Sequence, residues 1–178
     1  MSTWWSEHPD LEALARHSRR EMTEELAAAE HDTELLRLRR RTLTDVCFEW
    51  MSRGDRVTVA VGGTHFEGRL IAVVNDLAIV GTKTIEVGVN LGAVDFARSN
   101  DRAAYTGTSG ERSVSSFRAL LGRFEIERMP ARLVGRHRSF DQTGVIEASS
   151  DDHVLIRDDQ GLEWALPRGG IAYVIGPS

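Results

Sequence analysis

Hydrophobic residues in the first third of the chain recur at the spacing of an α-helix. The positions that follow this period are Leu11, Leu14, Ala15, Met22, Leu26 and Ala29, and then Leu36, Leu43, Val46 or Cys47, and Trp50. Pro9 and Asp10 suit a helix start, and Arg53-Gly54 suits a helix end. Asp32 or Thr33 can act as an N-cap within the run. The pattern therefore predicts one long helix or a helical hairpin over residues 1–53.

After Gly54 the hydrophobic period changes to two, which is typical of β-strands. Val57, Val59 and Val61 alternate with other residues, and Gly62-Gly63 suits a tight hairpin turn. Four more strands are predicted at residues 65–73, 77–80, 85–89 and 93–97, with polar or glycine-containing turns between them. Five antiparallel strands in about 43 residues predict a small β-barrel over residues 54–98.

The rest of the chain contains a polar linker, a short helix and a repeat of the first barrel. Residues 99–112 are polar, and Ser113 or Ser115 can cap a helix whose buried side holds Phe117, Leu120, Leu121 and Phe124. Six positions are identical between the two copies: Arg56/Arg132, Gly68/Gly144, Ala72/Ala148, Asp76/Asp152, Glu86/Glu163 and Gly92/Gly169. The prediction is an α+β chain with helices at 1–53, a barrel at 54–98, a linker with a short helix at 99–129 and a second barrel at 130–178.

Composition narrows the class of protein. With 41% hydrophobic and 28% charged residues the chain is typical of a folded protein, and its longest apolar stretch is shorter than the roughly 20 residues of a membrane span. A formal net charge of −5 does not favour a protein that works mainly on phosphate backbones. Cys47 is the single cysteine, and the first residues do not have the pattern of a secretory signal. Both observations favour the cytoplasm.

The two copies resemble the Sm-like family, which includes the Sm proteins and a related bacterial RNA chaperone. The shared features are a helix before five strands, a glycine in a long bent second strand (Gly68, Gly144), an acidic turn after it, and a short last strand entered through a tight corner. Arg168-Gly169 is similar to the Arg-Gly of the second motif of the family. An SH3-like or PRC-type barrel would produce much of the same pattern.

The resemblance implies two small barrels in tandem whose fourth and fifth strands lie at edges that pair between neighbours. The copies are then expected to pair with each other or to continue into a ring. RNA-binding members of the family stack a nucleobase at the turn after the second strand, where Asp76 and Asp152 stand here. The first copy has Leu91-Gly92 in place of the basic residue, so Arg168 is the remaining candidate for an RNA contact.

Two groups of arginines are further candidates for nucleic-acid binding. They are Arg37, Arg39, Arg40 and Arg41 in the helical region, and Arg132, Arg136 and Arg138 on one face of the first hairpin in the second barrel. Acidic residues three or four positions away favour a solvated helix face for the first group. A solvated strand edge is the preferred interpretation of the second group.

The sequence carries no recognisable reaction centre. Its six histidines lack metal-ligand spacing, and Cys47 lies on an apolar stripe, so we predict no catalytic residue, metal or cofactor. Trp4 and Trp5 cannot both face one helix stripe and are candidate contacts to a protein partner. We predict a non-catalytic cytoplasmic adaptor or assembly protein that binds protein partners or itself, with no membrane or small-molecule substrate. The alternative is an Sm-like RNA-binding regulator.

Overall fold

A computed structural model describes residues 9–103 and 114–177, with the side chains of residues 9–16 and 21 left out. The chain divides into two compact units, residues 1–41 and residues 42–178. Helix α1 (Pro9–Arg40) belongs to the first unit, and its described side chains are exposed. Of the two possibilities that the sequence left open for this run, Asp32 and Thr33 do not interrupt the helix, because Thr33 Oγ1 donates a hydrogen bond of 2.8 Å to Ala29 O and α1 continues to Arg40.

The second unit begins with helix α2 (Leu43–Arg53), which has well-formed ends. Thr42 Oγ1 accepts a hydrogen bond from Asp45 N, and the Asp45 carboxylate accepts one from Thr42 N at 2.8 Å, which is a capping box. Gly54 ends the helix with φ of 75°, as predicted. The break between the helices therefore lies at residues 41–42.

The described residues of this unit also contain ten antiparallel strands and one further α-helix. The first five strands are β1 (Arg56–Val61), β2 (Thr64–Val74), β3 (Leu77–Gly81), β4 (Glu86–Asn90) and β5 (Val94–Asp101). Helix α3 (Phe117–Glu127) follows and is capped by Ser116 and not by Ser115, while the other predicted cap, Ser113, lies outside the described residues. The last five strands are β6 (Pro130–Gly135), β7 (Asp141–Ser149), β8 (His153–Arg157), β9 (Glu163–Pro167) and β10 (Ile171–Ile175).

The strands form one open sheet in the order β5-β1-β2-β3-β4-β10-β6-β7-β8-β9. The two closed five-stranded barrels predicted from the sequence are not confirmed. The edge of β4 that does not pair with β3 pairs with β10. The fourth strand of the first half (β1–β5) therefore pairs with the fifth strand of the second half (β6–β10). The expected internal pairing of a fourth with a fifth strand is thus observed, within a sheet that does not close.

The strand registers of the two halves correspond, with one correction. Leu70 pairs with Val80 and Ile146 pairs with Ile156, and the same irregularity follows in both ladders. Gly68, however, pairs with Val57, whereas Gly144 pairs with Ala131. Val57 therefore corresponds to Ala131, and the predicted match of Arg56 with Arg132 is wrong. The cause is a longer turn between β6 and β7, which contains a 3₁₀ segment at Arg136–Arg138.

Two hydrophobic cores hold the second unit together, and each draws on both halves. The first contains Cys47 of α2 and the inner side of β1–β4, together with Tyr173 of β10. The second contains the buried side of α3, including the predicted Phe117 and Leu121, packed on β6–β10 and on Leu77 of β3. No described helix has the length and hydropathy needed to cross a membrane.

Candidate interaction edges

The pairing of β4 with β10 is a buried seam between the two halves. Its register places Tyr173 opposite Val89, Val174 opposite Gly88, and Ile175 opposite Val87. The ring of Tyr173 meets Phe66 of β2 edge-on, with the ring centroids 4.9 Å apart. Edge-on aromatic pairs of this kind add to the stability that burial provides.

Polar contacts fix the position of the seam at its ends. Asn90 Nδ2 donates a hydrogen bond of 3.1 Å to Ile171 O, and the hydroxyls of Tyr173 and Thr64 are 3.3 Å apart. Because these contacts join residues far apart in the chain, they define how the fourth strand of one half and the fifth strand of the other fit together.

The predicted arginine group of the second half supports the same seam. Arg136 Nη2 donates a hydrogen bond of 2.7 Å to Gly92 O, and Arg138 Nη2 is 3.2 Å from Thr64 Oγ1. Both arginines lie in the turn after β6, not on the strand face that the sequence predicted. His137 and Arg138 have φ of 51° and 55°, an unfavourable conformation for residues other than glycine. The side chains of Arg136 and Arg138 thus form hydrogen bonds from this turn of the second half to the first half. These two arginines form the arginine clamp of the seam.

Strands β5 and β9 end the sheet, so each has one edge without a strand partner among the described residues. Phe96 of β5 is 46% exposed and contacts His65, whereas its structural counterpart Tyr173 is 3% exposed. Trp164 of β9 is 39% exposed, whereas its counterpart Val87 is fully buried in the seam. Large hydrophobic side chains are therefore exposed at the two outer edges of the sheet. The corresponding side chains at the inner seam, between β4 and β10, are buried.

The two outer edges belong to two different strand types, which pair with each other at the inner seam. β5 is the fifth strand of the first half, and β9 is the fourth strand of the second half. These are the two strand types that pair at the inner seam. One molecule therefore carries both sides of that pairing, at opposite ends of its sheet.

The other predicted arginines have different surroundings. Arg132 forms a bidentate ion pair with Asp141, with both N–O distances 2.7 Å, and hydrogen bonding to Arg132 lowers the pKa of the Asp141 carboxyl. Arg168 is half-buried, and its Nη1 donates a hydrogen bond of 3.2 Å to Ser150 O. The exposed residues Arg37, Arg39 and Arg40 occupy the last turn of α1, and Arg41 follows it.

The first unit contains Arg37, Arg39, Arg40 and Arg41, and the second unit contains Arg132, Arg136, Arg138 and Arg168. A positive charge at the last turn of a helix is favourable by itself, because it faces the negative end of the helix dipole. Trp4 and Trp5 lie outside the described residues.

A serine, an aspartate and a histidine lie close together in the turn between β7 and β8. His153 Nδ1 is 2.9 Å from Ser150 Oγ and 2.6 Å from Asp152 Oδ1. A catalytic triad needs the histidine between the other two, with one ring nitrogen for each. Here both partners contact the same nitrogen, so the group stabilises the turn. Hydrogen bonding to His153 lowers the pKa of Asp152.

The thiol of Cys47 is not activated. Cys47 is fully buried, and burial raises the pKa of its thiol to about 11, so the nucleophilic thiolate is disfavoured. Within residues 9–103 and 114–177, no three His, Cys, Asp or Glu side chains are grouped so that they could hold a metal ion.

Sequence reasoning did not single out the hydrophobic residues at the outer edges. A signal was present, because the repeat puts Trp164 in the place of Val87. Exposure depends on which strand pairs with which, and that information is not in the local pattern. Comparisons with protein-family models, with curated proteins and with solved structures found no match for this chain.

Proposed function

We infer that the chain is a non-catalytic assembly protein, in which β9 of one copy pairs with β5 of the next. The observation that carries this proposal is the seam between β4 and β10, which joins a fourth and a fifth strand and leaves β5 and β9 with one edge each that has no strand partner among the described residues. An unpaired edge invites strand addition unless the protein protects it. Head-to-tail pairing of two different edges gives a ring when it closes and a filament when it does not.

The inner seam supplies the register of the proposed contact. By structural correspondence, Phe96 faces Leu166, Ala97 faces Ala165, and Arg98 faces Trp164. Phe96 and Trp164 then become covered, as their counterparts Tyr173 and Val87 are covered now. An arginine beside an indole adds a favourable cation–π contact at this edge.

The proposed contact is weaker than the inner seam. The arginine clamp of the inner seam belongs to the turn between β6 and β7, whereas the corresponding turn beside β5 is Gly62-Gly63, which carries no arginine. We therefore expect the contact between copies to form at high protein concentration and to dissociate at low concentration. The two halves within each copy should stay joined at the inner seam.

The Sm-like family remains the relationship we propose for the two halves. Its fourth and fifth strands are the edges that pair between neighbours, and this agrees with the strand types at the seam and at the ends of the sheet. The two barrels and a cytoplasmic location are part of the same proposal. In it, the N-terminal helix and Trp4 and Trp5 provide contacts to protein partners.

Light scattering after gel filtration tests the assembly over a wide range of protein concentration. We expect the mass to rise with concentration in the wild type and to stay monomeric for Trp164→Glu and for Ala165→Pro. Proline removes a ladder donor from the edge strand. Ile126→Glu is the matched control, because Ile126 is 84% exposed on α3 and lies on neither edge. A wild type that is monomeric at every concentration refutes the proposal.

RNA binding is the second candidate function, and the position of Arg168 favours it. Arg168 lies beside the turn that follows β7, the second strand of the second half. The backbone N–H of Arg168 donates a hydrogen bond of 2.8 Å to Asp152 O in that turn. Labelled single-stranded RNA at two salt concentrations separates the candidates, since RNA binding predicts a steep salt dependence that Arg168→Ala reduces. Binding no stronger than background at either salt concentration removes this candidate.

A further inference from the structure

A cavity of about 520 Å³ lies between the turn after β3, helix α3 and the end of β10. Its walls are mainly hydrophobic, and this size is within the range of small-molecule sites. The hydrophobic wall residues that matter here are Ile79, Leu120, Phe124, Met129 and Val174. All of them belong to the second core or pack against it, so the wall is part of the folded unit and not of a loose surface.

Glycines allow the wall to form. A Cβ atom at Gly88 would lie 2.3 Å from Leu120 Cδ2 and 3.0 Å from Val174 Cγ1, so the absence of a side chain at this position makes room for Leu120 of α3 against β4. A Cβ atom at Gly176 would lie 3.1 Å from the ring of Phe124. The α3 side chains Leu120 and Phe124 are thus packed against the backbone at Gly88 and Gly176, and the cavity is preformed.

The charged residues that line the cavity are not equivalent. Arg123 Nε is 2.9 Å from Glu127 Oε1, so this cation is already paired, and Glu86 also has a partner. Lys83 is exposed and has no ion pair or hydrogen bond among the described residues. Its turn is ordered by Thr82, whose Oγ1 accepts a hydrogen bond of 3.1 Å from Ile85 N. Among the described residues that line the cavity, Lys83 therefore provides the positive charge that has no partner.

We propose that this cavity binds a small amphipathic carboxylate, with its hydrocarbon part against α3 and its carboxylate at Lys83. A neutral hydrocarbon would leave Lys83 unused, and a cation would be repelled by it. The corresponding turn of the second half carries Asp158 and Asp159, so the described part of that half has no lysine at the equivalent place. This inference does not depend on the proposed assembly.

Calorimetric titration of the full chain with dodecanoate, below its micellar concentration, tests the proposal. Saturable binding to one site is expected. Dodecyltrimethylammonium should bind at least about tenfold more weakly, because its charge has the wrong sign for Lys83. Absence of saturable dodecanoate binding, or equal affinity for the cationic probe, overturns the proposal.

Variants identify the site. Lys83→Glu should weaken dodecanoate binding about five- to tenfold, whereas Lys83→Arg should stay within about twofold. Arg56→Glu makes the same charge change away from the cavity wall and should leave the affinity unchanged. Met129→Trp should fill the cavity and abolish binding. Because Lys83 is exposed, its variants keep the test decisive even where Met129→Trp fails to fold. Equal affinity of Lys83→Glu and wild type refutes the site.

Discussion

The glycines of the two long strands provide a matched test of the repeat. A Cβ atom at Gly68 would lie 2.1 Å from Gly81 O, and one at Gly144 would lie 2.2 Å from Arg157 O. Each obstacle is backbone of the neighbouring strand, so no side-chain rotation relieves the contact. Substitution by alanine must therefore push the two strands apart by about 1 Å and weaken the ladder hydrogen bonds beside the glycine.

The expected cost follows from these contacts. Overpacking of this kind destabilises by about 3 kcal/mol, which exceeds the gain of about 0.4 to 1 kcal/mol that alanine brings by restricting the unfolded chain. A net loss of about 2 to 2.5 kcal/mol lowers the melting temperature by roughly 4 to 10 °C in a protein of this size. Because the geometry is the same in both halves, Gly68→Ala and Gly144→Ala should have similar effects.

Denaturant unfolding and calorimetry measure both variants. Gly169→Ala is the control, because a Cβ atom there meets nothing within 4 Å and its φ is not positive, so we expect a change within about 0.5 kcal/mol. A large loss for one glycine with none for the other would contradict the structural repeat. A loss no greater than that of Gly169→Ala for both would refute the close approach of the strands.

Three further predictions concern buried or capping groups. Asp55 is buried and accepts hydrogen bonds from Arg53 and Ser99. The hydrogen bond from Arg53 is the main cause of the lowered pKa of its carboxyl. Asp55→Ala should therefore lower the free energy of unfolding by about 2 to 3 kcal/mol at pH 7. Its stabilisation is present above the unfolded-state pKa of about 3.8 and is lost as the pH falls through the lower folded-state pKa, so the difference between wild type and variant in urea titrations should shrink as the pH falls below about 4. Cys47 should react with a thiol reagent at pH 8 only after unfolding, and rapid reaction of the native protein would contradict its burial. Thr42→Ala should cost about 1 kcal/mol in the same titrations, and an unchanged midpoint would show that the capping box adds no stability.

Element type could be predicted from the sequence where the hydrophobic period was long and regular. Valines at alternate positions and paired glycines predicted β1 and its hairpin, and Gly68 and Gly144 marked the long strands that both halves share. The match of Arg56 with Arg132 failed because a turn can lengthen without any change in the strands beside it. The turn itself adopts positive φ at His137 and Arg138, a conformation that tertiary contacts impose.

The candidate site was accessible to sequence reasoning only in part. The idea that a fourth strand pairs with a fifth came from a resemblance, and the structure has that pairing between β4 and β10. Which hydrophobic residues remain exposed could not be predicted, because Trp164 and Val87 occupy corresponding strand positions and their exposure depends on whether another strand covers them. The sequence favours a solvated strand edge for the arginines of the second half, with phosphate binding as the alternative, and the contact of Arg136 with Gly92 O could not be predicted from the sequence.

Disulfide trapping at the outer edges tests the central claim most directly. The proposed register places Ala97 of one copy opposite Ala165 of the next, whereas Asp95 lies two positions away on the same strand. Because Cys47 is buried, introduced cysteines should react selectively. A mixture of Ala97→Cys and Ala165→Cys proteins should form a covalent dimer under mild oxidation, and a mixture of Asp95→Cys and Ala165→Cys proteins should form much less. Equal yields from both mixtures, or no dimer from either, would contradict pairing of β9 with β5.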